Sequence, residues 1–167
     1  WEQALRLLAD MTSLAVEVQV DACNAAMSSC GMASEWQRTF FLLGSMLHLA
    51  LQKDTVSYNA AISACSDGKR SSHAKTLLRE MSSCSISPSA ITYNAVISAM
   101  SHWADTLQFL LTMGSHSLKP DSFTYSSILA MCGQSHAWER ALSFLWEMGA
   151  ASVEMDAVAC SAAISAC

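Results

Sequence analysis

The side chains in this sequence that are best suited to chemistry are seven cysteines and five histidines, within 167 residues. Thiols can form disulfides or bind zinc. Cys30 and Cys65 lie 35 residues apart, as do Cys132 and Cys167, and Met100 occupies the remaining position of this column. A position that accepts either Cys or Met requires volume rather than a reactive sulfur. Since no Cys-x-x-Cys pair is present either, we expect reduced core thiols in a reducing compartment and no metal site.

A second column holds Cys23 and Cys160, and elsewhere it holds Tyr58, Tyr93 and Tyr125. The exchange of Cys with Tyr again predicts a buried position. The histidines share no column; they are His48, His73, His102, His116 and His136. The sequence also lacks a Ser-His-Asp, His-x-Glu or glycine-rich phosphate motif. We therefore expect no enzymatic activity and no small-molecule cofactor.

The 35-residue step extends beyond the cysteines, because it also separates Trp1 from Trp36 and Trp103 from Trp138. A fixed period of this length is typical of helical-repeat arrays. We predict four complete repeats: repeat 1 (20–54), repeat 2 (55–89), repeat 3 (90–121) and repeat 4 (122–156). Residues 1–19 and 157–167 match parts of further repeats, so we expect the chain to be a segment of a longer array.

Every predicted repeat contains two helices. In repeat 2, Tyr58, Ala61, Ile62 and Cys65 follow the i, i+3, i+4, i+7 spacing of a helix buried on one face. A second apolar series follows, beginning in most repeats with Trp and ending with Met, and we expect both of these columns in the core. One helix pair cannot bury both apolar faces, so neighbouring pairs must stack. The predicted fold is all-α: a right-handed α-solenoid of antiparallel helix pairs.

The most apolar stretch of the chain is residues 39–51. Gly44, Ser45 and His48 interrupt it, and it is shorter than the roughly 20 residues that a membrane-spanning helix needs. We expect a buried helix here and no membrane partner.

Three phrases of the sequence carry a family resemblance: DTVSYNAAISAC, PSAITYNAVISAM and KPDSFTYSSILAMC, each followed by a helical stretch that ends in Met. They resemble the pentatricopeptide repeat family, and the match extends over essentially the whole chain. The wording YNAAISAC is similar to repeats of algal and dinoflagellate organelle proteins. The resemblance implies a solenoid that binds single-stranded RNA, with one base read per repeat. It further implies action in chloroplasts or mitochondria, in RNA processing, stability, editing or translation.

The resemblance also implies which side chains select the base, namely the fifth and the last residue of each repeat. These pairs are Asn24 with Asp54, Asn59 with Ser89, Asn94 with Asp121, and Ser126 with Asp156; Ser161 and Gln19 belong to the partial repeats. By resemblance, Asn with Asp favours U, Asn with Ser favours C, and Ser with Asp favours G, which gives a core of UCUG. The alternative for each residue is that it caps a helix by binding free backbone N–H groups.

The family places an apolar side chain, which stacks on the base, three positions before the selecting Asn or Ser. Here these side chains are Val56, Ile91, Phe123 and Val158. Asp21 takes this place in repeat 1. A carboxylate cannot stack on a base and repels phosphate, so we expect weaker readout by repeat 1.

The charge of the chain opposes the RNA interpretation. Nine Lys and Arg stand against fourteen Asp and Glu, giving a net charge of −5, whereas RNA-binding proteins draw much of their affinity from phosphate contacts. We therefore expect weak binding by this segment. The alternative is a solenoid that binds a peptide or a partner helix of another protein. The restriction of two columns to Asn or Ser and Asp or Ser favours RNA.

Overall fold

The computed structural model describes residues 1–14 and 16–166. Ten helices form most of these ranges, which contain no strand. In chain order the helices are α1 (Glu2–Ser13), α2 (Val20–Met32), α3 (Trp36–His48), α4 (Thr55–Ser63), α5 (Ser71–Ser83), α6 (Ala90–Ser98), α7 (Trp103–Ser115), α8 (Ser122–Gln134), α9 (Trp138–Ala150) and α10 (Ala157–Ala166).

The chain forms two compact bodies, the N-terminal body (Trp1–Ala99) and the C-terminal body (Met100–Cys167). In the N-terminal body α4 packs against α2 and α6, which are the first helices of the neighbouring repeats, and against α5 of its own repeat. In the C-terminal body α8 packs against α7, α9 and α10. Each body is therefore a stack of helix pairs, and the prediction of an all-α repeat fold is confirmed.

The predicted buried face of the first helices is confirmed. Tyr58, Ile62 and Cys65 of repeat 2 are fully buried, as are Cys30 and Cys132 in the same column as Cys65. Burial raises the pKa of the Cys65 thiol to about 11, so the thiol stays protonated and unreactive at neutral pH. All six cysteines in the described ranges are free thiols; Cys167 lies outside these ranges.

Cys160 is exposed, so the prediction of a buried position is wrong for this residue. The column of Cys160 faces the second helix of its own repeat, as the hydrogen bond of 2.9 Å from the Tyr58 hydroxyl to Glu80 on α5 illustrates. Within residues 157–166 only the first helix of such a pair is described, so no second helix covers this face of α10.

The Met column of the second helices is buried as predicted; its members are Met46, Met81, Met113 and Met148. The Trp column is not in the core, contrary to expectation: Trp36 is half-buried, and Trp138 is 49% exposed. Each of these Trp residues is the first residue of its helix, so the ring lies beside the helix end. Arg70, just before α5, covers the Trp36 ring with its guanidinium group 3.8 Å from the ring centroid.

Residues 39–51 form most of α3 and the turn after it, and only one face of the helix is buried. Leu43 and Met46 are buried, whereas Phe41 and Leu47 are each 75% exposed. The prediction of a wholly buried helix is wrong because the helices packed against α3 are α2 and α4, which cover a single side of it.

Candidate functional site

The described ranges contain neither a membrane-spanning helix nor a metal site. None of the helices is both long enough and apolar enough to cross a membrane. Across residues 1–14 and 16–166, the His, Cys, Asp and Glu side chains form no group that could hold a metal ion. The candidate site is formed by the side chains that recur at the same position of successive first helices.

Apolar side chains project into solvent from the first turn of four first helices. Val56, Ile91, Phe123 and Val158 are 54%, 67%, 58% and 64% exposed, and each is the second residue of its helix. The residue that follows each of them in the sequence is buried, as Ser57 and Thr92 show. A regular series of exposed apolar side chains beside buried ones is typical of a surface that contacts a ligand. Asp21 is exposed at the corresponding position of α2.

The predicted selecting residues occupy one helical position. Asn24, Asn59, Asn94, Ser126 and Ser161 are each the fifth residue of a first helix. Asn24 and Asn94 are buried, Asn59 and Ser126 are half-buried, and Ser161 is exposed. Since an N-cap precedes the first helical residue, none of these five side chains is an N-cap, and the capping alternative is wrong for them.

Their predicted partners do cap helices. Asp54, Ser89 and Asp121 are the N-cap residues of α4, α6 and α8, and each accepts a hydrogen bond from the backbone N–H of the third helical residue. The Asp156 carboxylate likewise accepts from the backbone N–H of Ala159, at 2.7 Å. Gln19 holds the same position before α2 without a capping hydrogen bond from its side chain.

In repeat 1 the two predicted selecting residues touch. The Asn24 side-chain amide donates to Asp54 Oδ1 at 3.2 Å. The Ser57 hydroxyl lies 2.7 Å from Asn24 Oδ1 and 2.8 Å from Asp54 Oδ1. If the Asn24 amide were turned over, its oxygen would face the Asp54 carboxylate oxygen, and two acceptors cannot form a hydrogen bond. Asp54 and Ser57 therefore define the orientation of the Asn24 amide. Burial alone would raise the pKa of Asp54, but the hydrogen bonds from Ser57 and Asn24 outweigh it and lower the pKa.

Repeat 2 has the same arrangement with different side chains. The Thr92 hydroxyl donates to Asn59 Oδ1 at 2.7 Å and accepts from the Ser89 backbone N–H at 3.0 Å. The Ser89 hydroxyl lies 3.2 Å from that of Thr92. No carboxylate contacts Asn59 in this group, so the hydroxyl of Thr92 alone binds its amide oxygen.

Repeat 4 lacks this arrangement. Ala159 takes the place that Ser57 and Thr92 hold, and Ser126 Oγ is buried without a hydrogen-bond partner in the described ranges. The Asp156 carboxylate accepts instead from the Ser122 hydroxyl at 2.7 Å, and this bond is the main cause of the lowered pKa of Asp156. Ser126 lowers the pKa of Asp156 less than the other neighbouring groups do. The Ser126 hydroxyl is not within hydrogen-bonding geometry of the Asp156 carboxylate.

A groove of about 700 Å³ runs along the first helices of the N-terminal body, between Val56 and Ile91. Asn59 and Asp67 both line it. Asp67 accepts a hydrogen bond of 2.6 Å from Ser34. The groove therefore offers three large apolar side chains, those of Met32, Val56 and Ile91, and the Asn59 amide to a ligand, together with a carboxylate that opposes a nearby phosphate.

The hydroxyl groups of Ser57, Thr92 and Thr124 were missed by the sequence prediction. They are the third residue of their repeats, and each completes a reciprocal capping box with the preceding N-cap. The signal was present in the sequence, because Asp54 and Ser57, Ser89 and Thr92, and Asp121 and Thr124 have the three-residue spacing of a capping box.

The fold and these repeating columns define a helical-repeat protein whose first helices carry polar and apolar side chains at constant positions. The model of the PPR repeat family matches residues 53–102, and the PPR repeat model matches residues 123–153. Residues 53–102 and 123–153 are therefore pentatricopeptide repeats. No curated protein matches it in sequence.

Solved structures of this family share the fold. The pentatricopeptide repeat protein PPR10 from maize is 24% identical, with a TM-score of 0.70 over 95% of this chain. PPR10 in complex with an 18-nt psaJ RNA element is 22% identical, with a TM-score of 0.75 over 98% of the chain. The chain spans only 23% and 24% of the length of these two structures. The PPR domain of Arabidopsis thaliana protein-only RNase P 1, in complex with tRNA, is 13% identical, with a TM-score of 0.72 over 84% of this chain and 76% of that domain.

Proposed function

We propose that the chain binds single-stranded RNA in a sequence-specific manner, with one base read by the first helix of each repeat. The observation that carries this proposal is the constant register of three features. An exposed apolar side chain stands at the second position of the helix, a polar side chain at the fifth, and a hydrogen-bonding cap at the start of the next helix. Bases stack on apolar or aromatic side chains and are identified by hydrogen bonds to their edges.

Repeat 2 provides the best-formed base site in the N-terminal body. In this proposal the base lies in the groove that Val56 and Ile91 line, and its edge faces Asn59, which lines the same groove. Ser89 is the partner of Asn59 in the selecting pair. Both apolar side chains are more than half exposed in the absence of a ligand. Stacking buries this area, and it contributes roughly 1–3 kcal/mol per base.

The proposed sequence core is UCUG, assigned through the family pairs given above. Repeat 1 is chemically suited to U. The Asp54 Oδ1 atom already accepts from Ser57 and Asn24, which leaves Oδ2 to accept the N3–H of a uracil. The second amide hydrogen of Asn24 then donates to a uracil carbonyl oxygen. Since Asp21 replaces the apolar side chain in this repeat, its contribution to affinity is smaller than that of repeat 2.

The proposed mechanism is passive. The chain covers a short stretch of transcript, blocks nucleases or competing RNA structure, and so influences processing, stability, editing or translation in a chloroplast or mitochondrion. In this proposal the described residues bind RNA without chemical change, and any reaction on the transcript belongs to other parts of the protein or to partners.

The net charge of −5 leads us to propose that RNA binding by this chain depends little on salt. Phosphate contacts cause the salt dependence of RNA binding, with a slope of about −0.7 per contact for single strands. Because stacking and base-edge hydrogen bonds contribute most of the affinity here, binding is weak and depends little on salt.

The alternative is a solenoid that binds a peptide or a partner helix, and one observation favours it. A groove of about 610 Å³ lies between α1 and α3, lined mainly by apolar side chains that include Leu5, Phe41 and Leu49. Phe41 is 75% exposed. Apart from Cys23 of α2, the lining residues belong to α1, α3 and the turn after α3, so a peptide there leaves Val56, Asn59 and Ile91 free.

Selection from a random pool of single-stranded RNA at low salt tests the proposal. The wild-type chain is compared with Ile91→Asp, which places a carboxylate in the proposed stacking position, and with Leu47→Asp, which adds the same charge on the exposed side of α3. Enrichment of UCUG by the wild type and by Leu47→Asp, and its loss in Ile91→Asp, supports RNA readout on the first helices. A folded wild-type chain that enriches no sequence favours the protein-binding alternative.

A further inference from the structure

We propose that the hydroxyl group at the third position of a repeat positions the selecting Asn of the preceding repeat, and so helps to decide which base that repeat accepts. Ser57 acts on Asn24, and Thr92 acts on Asn59. This inference rests on the proposed function, because it concerns how the same surface chooses its base. It adds a third residue, located in the next repeat, to each selecting pair.

The geometry supports a positioning role. The Ser57 and Thr92 hydroxyls lie 2.7 Å from the side-chain oxygen of Asn24 and Asn59, respectively. Ser57 and Thr92 are fully buried, so water does not replace these hydrogen bonds. Each hydroxyl also accepts a backbone N–H from the N-cap residue, Asp54 or Ser89. The single hydroxyl proton of Ser57 is shared between two acceptors, Asn24 Oδ1 at 2.7 Å and Asp54 Oδ1 at 2.8 Å, whereas that of Thr92 is donated to Asn59 Oδ1.

This contact determines what the amide offers to a base. With the side-chain oxygen bound to the Thr92 hydroxyl, the N–H₂ group is the part of the Asn59 amide that is left to bind a base. Without the hydroxyl, the amide can turn over and present its oxygen, which would accept from a base that the N–H₂ group cannot bind. The preference of the repeat then weakens or reverses.

The two repeats differ in how strongly they depend on the hydroxyl. In repeat 1, Asp54 also holds the amide, because Asn24 donates to its carboxylate at 3.2 Å. In repeat 2 the N-cap is Ser89, a residue without charge, and the hydroxyl of Thr92 alone binds the amide oxygen. Loss of the hydroxyl therefore has its larger effect on the base read by Asn59.

Repeat 4 provides a comparison within the same chain. Its selecting residue is Ser126, and the position equivalent to Thr92 holds Ala159. Ser126 Oγ is buried and has no hydrogen-bond partner in the described ranges. In this repeat the third-position hydroxyl is absent, and the selecting side chain has no hydrogen-bond partner among residues 1–14 and 16–166.

The purely structural interpretation makes a different prediction. Thr92 belongs to the capping box of α6, and if that were its whole role, its removal would lower stability without altering the choice of base. The test therefore measures base preference and stability separately.

The experiment uses the 167-residue chain and three variants. Thr92→Val removes the hydroxyl with little change of shape, Thr92→Ser restores it, and Thr39→Val is the matched control. Thr39 is also fully buried, but its hydroxyl makes only long contacts to backbone carbonyl groups, 3.4 and 3.5 Å. Binding is measured to four short RNAs that differ only at the base opposite repeat 2, and the order of the Asn59 side-chain amide is measured by NMR in the free protein.

We expect Thr92→Val to reduce the discrimination between C and A at this base by about fivefold, the equivalent of one hydrogen bond. We also expect it to increase the motion of the Asn59 amide. Thr92→Ser and Thr39→Val keep the wild-type values of both measurements. If the wild type discriminates and Thr92→Val discriminates equally well, the inference is overturned while the proposed function stands. If the wild type shows no discrimination at any base, both are overturned.

Discussion

The Arg70 guanidinium group lies over the Trp36 ring, 3.8 Å from its centroid, and so connects the second helices of repeats 1 and 2. Arg38 covers Trp1 in the same way, at 4.0 Å. A cation over an indole ring contributes about 0.5–2 kcal/mol, depending on how far it is desolvated. These contacts hold neighbouring repeats together at positions outside the core.

The first prediction concerns this contact. Arg70→Ala removes the cation and the methylene groups that cover Trp36, and we expect it to lower the free energy of unfolding by about 1–2 kcal/mol. Urea denaturation followed by circular dichroism measures the change. Arg79→Ala is the control, because Arg79 is exposed and covers no ring in the described ranges. Equal effects of the two substitutions would show that the stacked geometry adds nothing to stability.

A second prediction separates the Met column from the Trp column. Met148 is fully buried, so we expect Met148→Ala to create a cavity and to lower the free energy of unfolding by about 2–5 kcal/mol. Trp138 is 49% exposed, and Trp138→Ala should lower it by only about 1 kcal/mol, because no closed cavity forms. Thermal unfolding of both variants provides the comparison. A larger loss for Trp138→Ala would contradict the assignment of Trp138 to the surface.

A third prediction follows from the cluster of Lys53, Tyr58 and Glu80. Glu80 Oε1 accepts from Lys53 at 2.8 Å and from the Tyr58 hydroxyl at 2.9 Å. Burial alone would raise the pKa of Glu80, but the hydrogen bonds from Lys53 and Tyr58 outweigh it and lower the pKa below its ordinary value of 4.5. A carboxyl whose pKa is lowered by folding stabilises the protein above its unfolded pKa, and this contribution is lost as the pH falls through the folded pKa.

Glu80→Gln tests this linkage. We expect the variant to have a lower melting temperature than the wild type at pH 7, with the difference shrinking as the pH falls below about 4.5. Melting temperatures between pH 7 and pH 3 give the profile, and Glu139→Gln, at an exposed position of α9, is the control. A difference that stays constant over this range would show that the charge of Glu80 does not contribute.

The sequence alone was sufficient to predict the helices and the buried face of the first helices, because Tyr58, Ile62 and Cys65 keep a helical spacing that recurs every 35 residues. It was insufficient for the second helices. Phe41 and Leu47 are apolar by composition yet exposed, and a short apolar run contains no information about how many neighbours cover it. Whether Phe41 and Leu47 are buried depends on packing against other repeats, which involves residues that are distant in the sequence.

The candidate site was predicted in position but not in its internal contacts. The 35-residue repeat and the family resemblance located Asn24 and Asp54, and in the structure Asn24 Nδ2 lies 3.2 Å from Asp54 Oδ1. The role of Ser57 was missed because its spacing from Asp54 indicates a capping box and nothing more. Its second contact, to Asn24, joins side chains 33 positions apart in sequence, and only the stacking of α2 against α4 brings them together.

A fourth prediction concerns charge in the groove. Asp67 lines the groove that contains Asn59, and we expect Asp67→Lys to increase RNA affinity and to make the salt dependence steeper by about 0.7, the value of one added phosphate contact. Asp10→Lys makes the same charge change on an exposed position of α1 and is the control. Fluorescence anisotropy at several salt concentrations measures both. An equal gain from the two substitutions would attribute the effect to net charge rather than to the groove.

A fifth prediction tests the proposed code in repeat 2. The double substitution Asn59→Thr with Ser89→Asn should move the preferred base from C toward A, as the family pairs imply. Ser89 is the N-cap of α6, and Asn is as good an N-cap as Ser, so the helix and its position relative to Val56 and Ile91 should be preserved. Competition between RNAs that differ only at the second base of UCUG measures the shift. Retention of the C preference by a folded double variant would mean that Asn59 and Ser89 do not select the base, whatever the affinity of the chain for RNA.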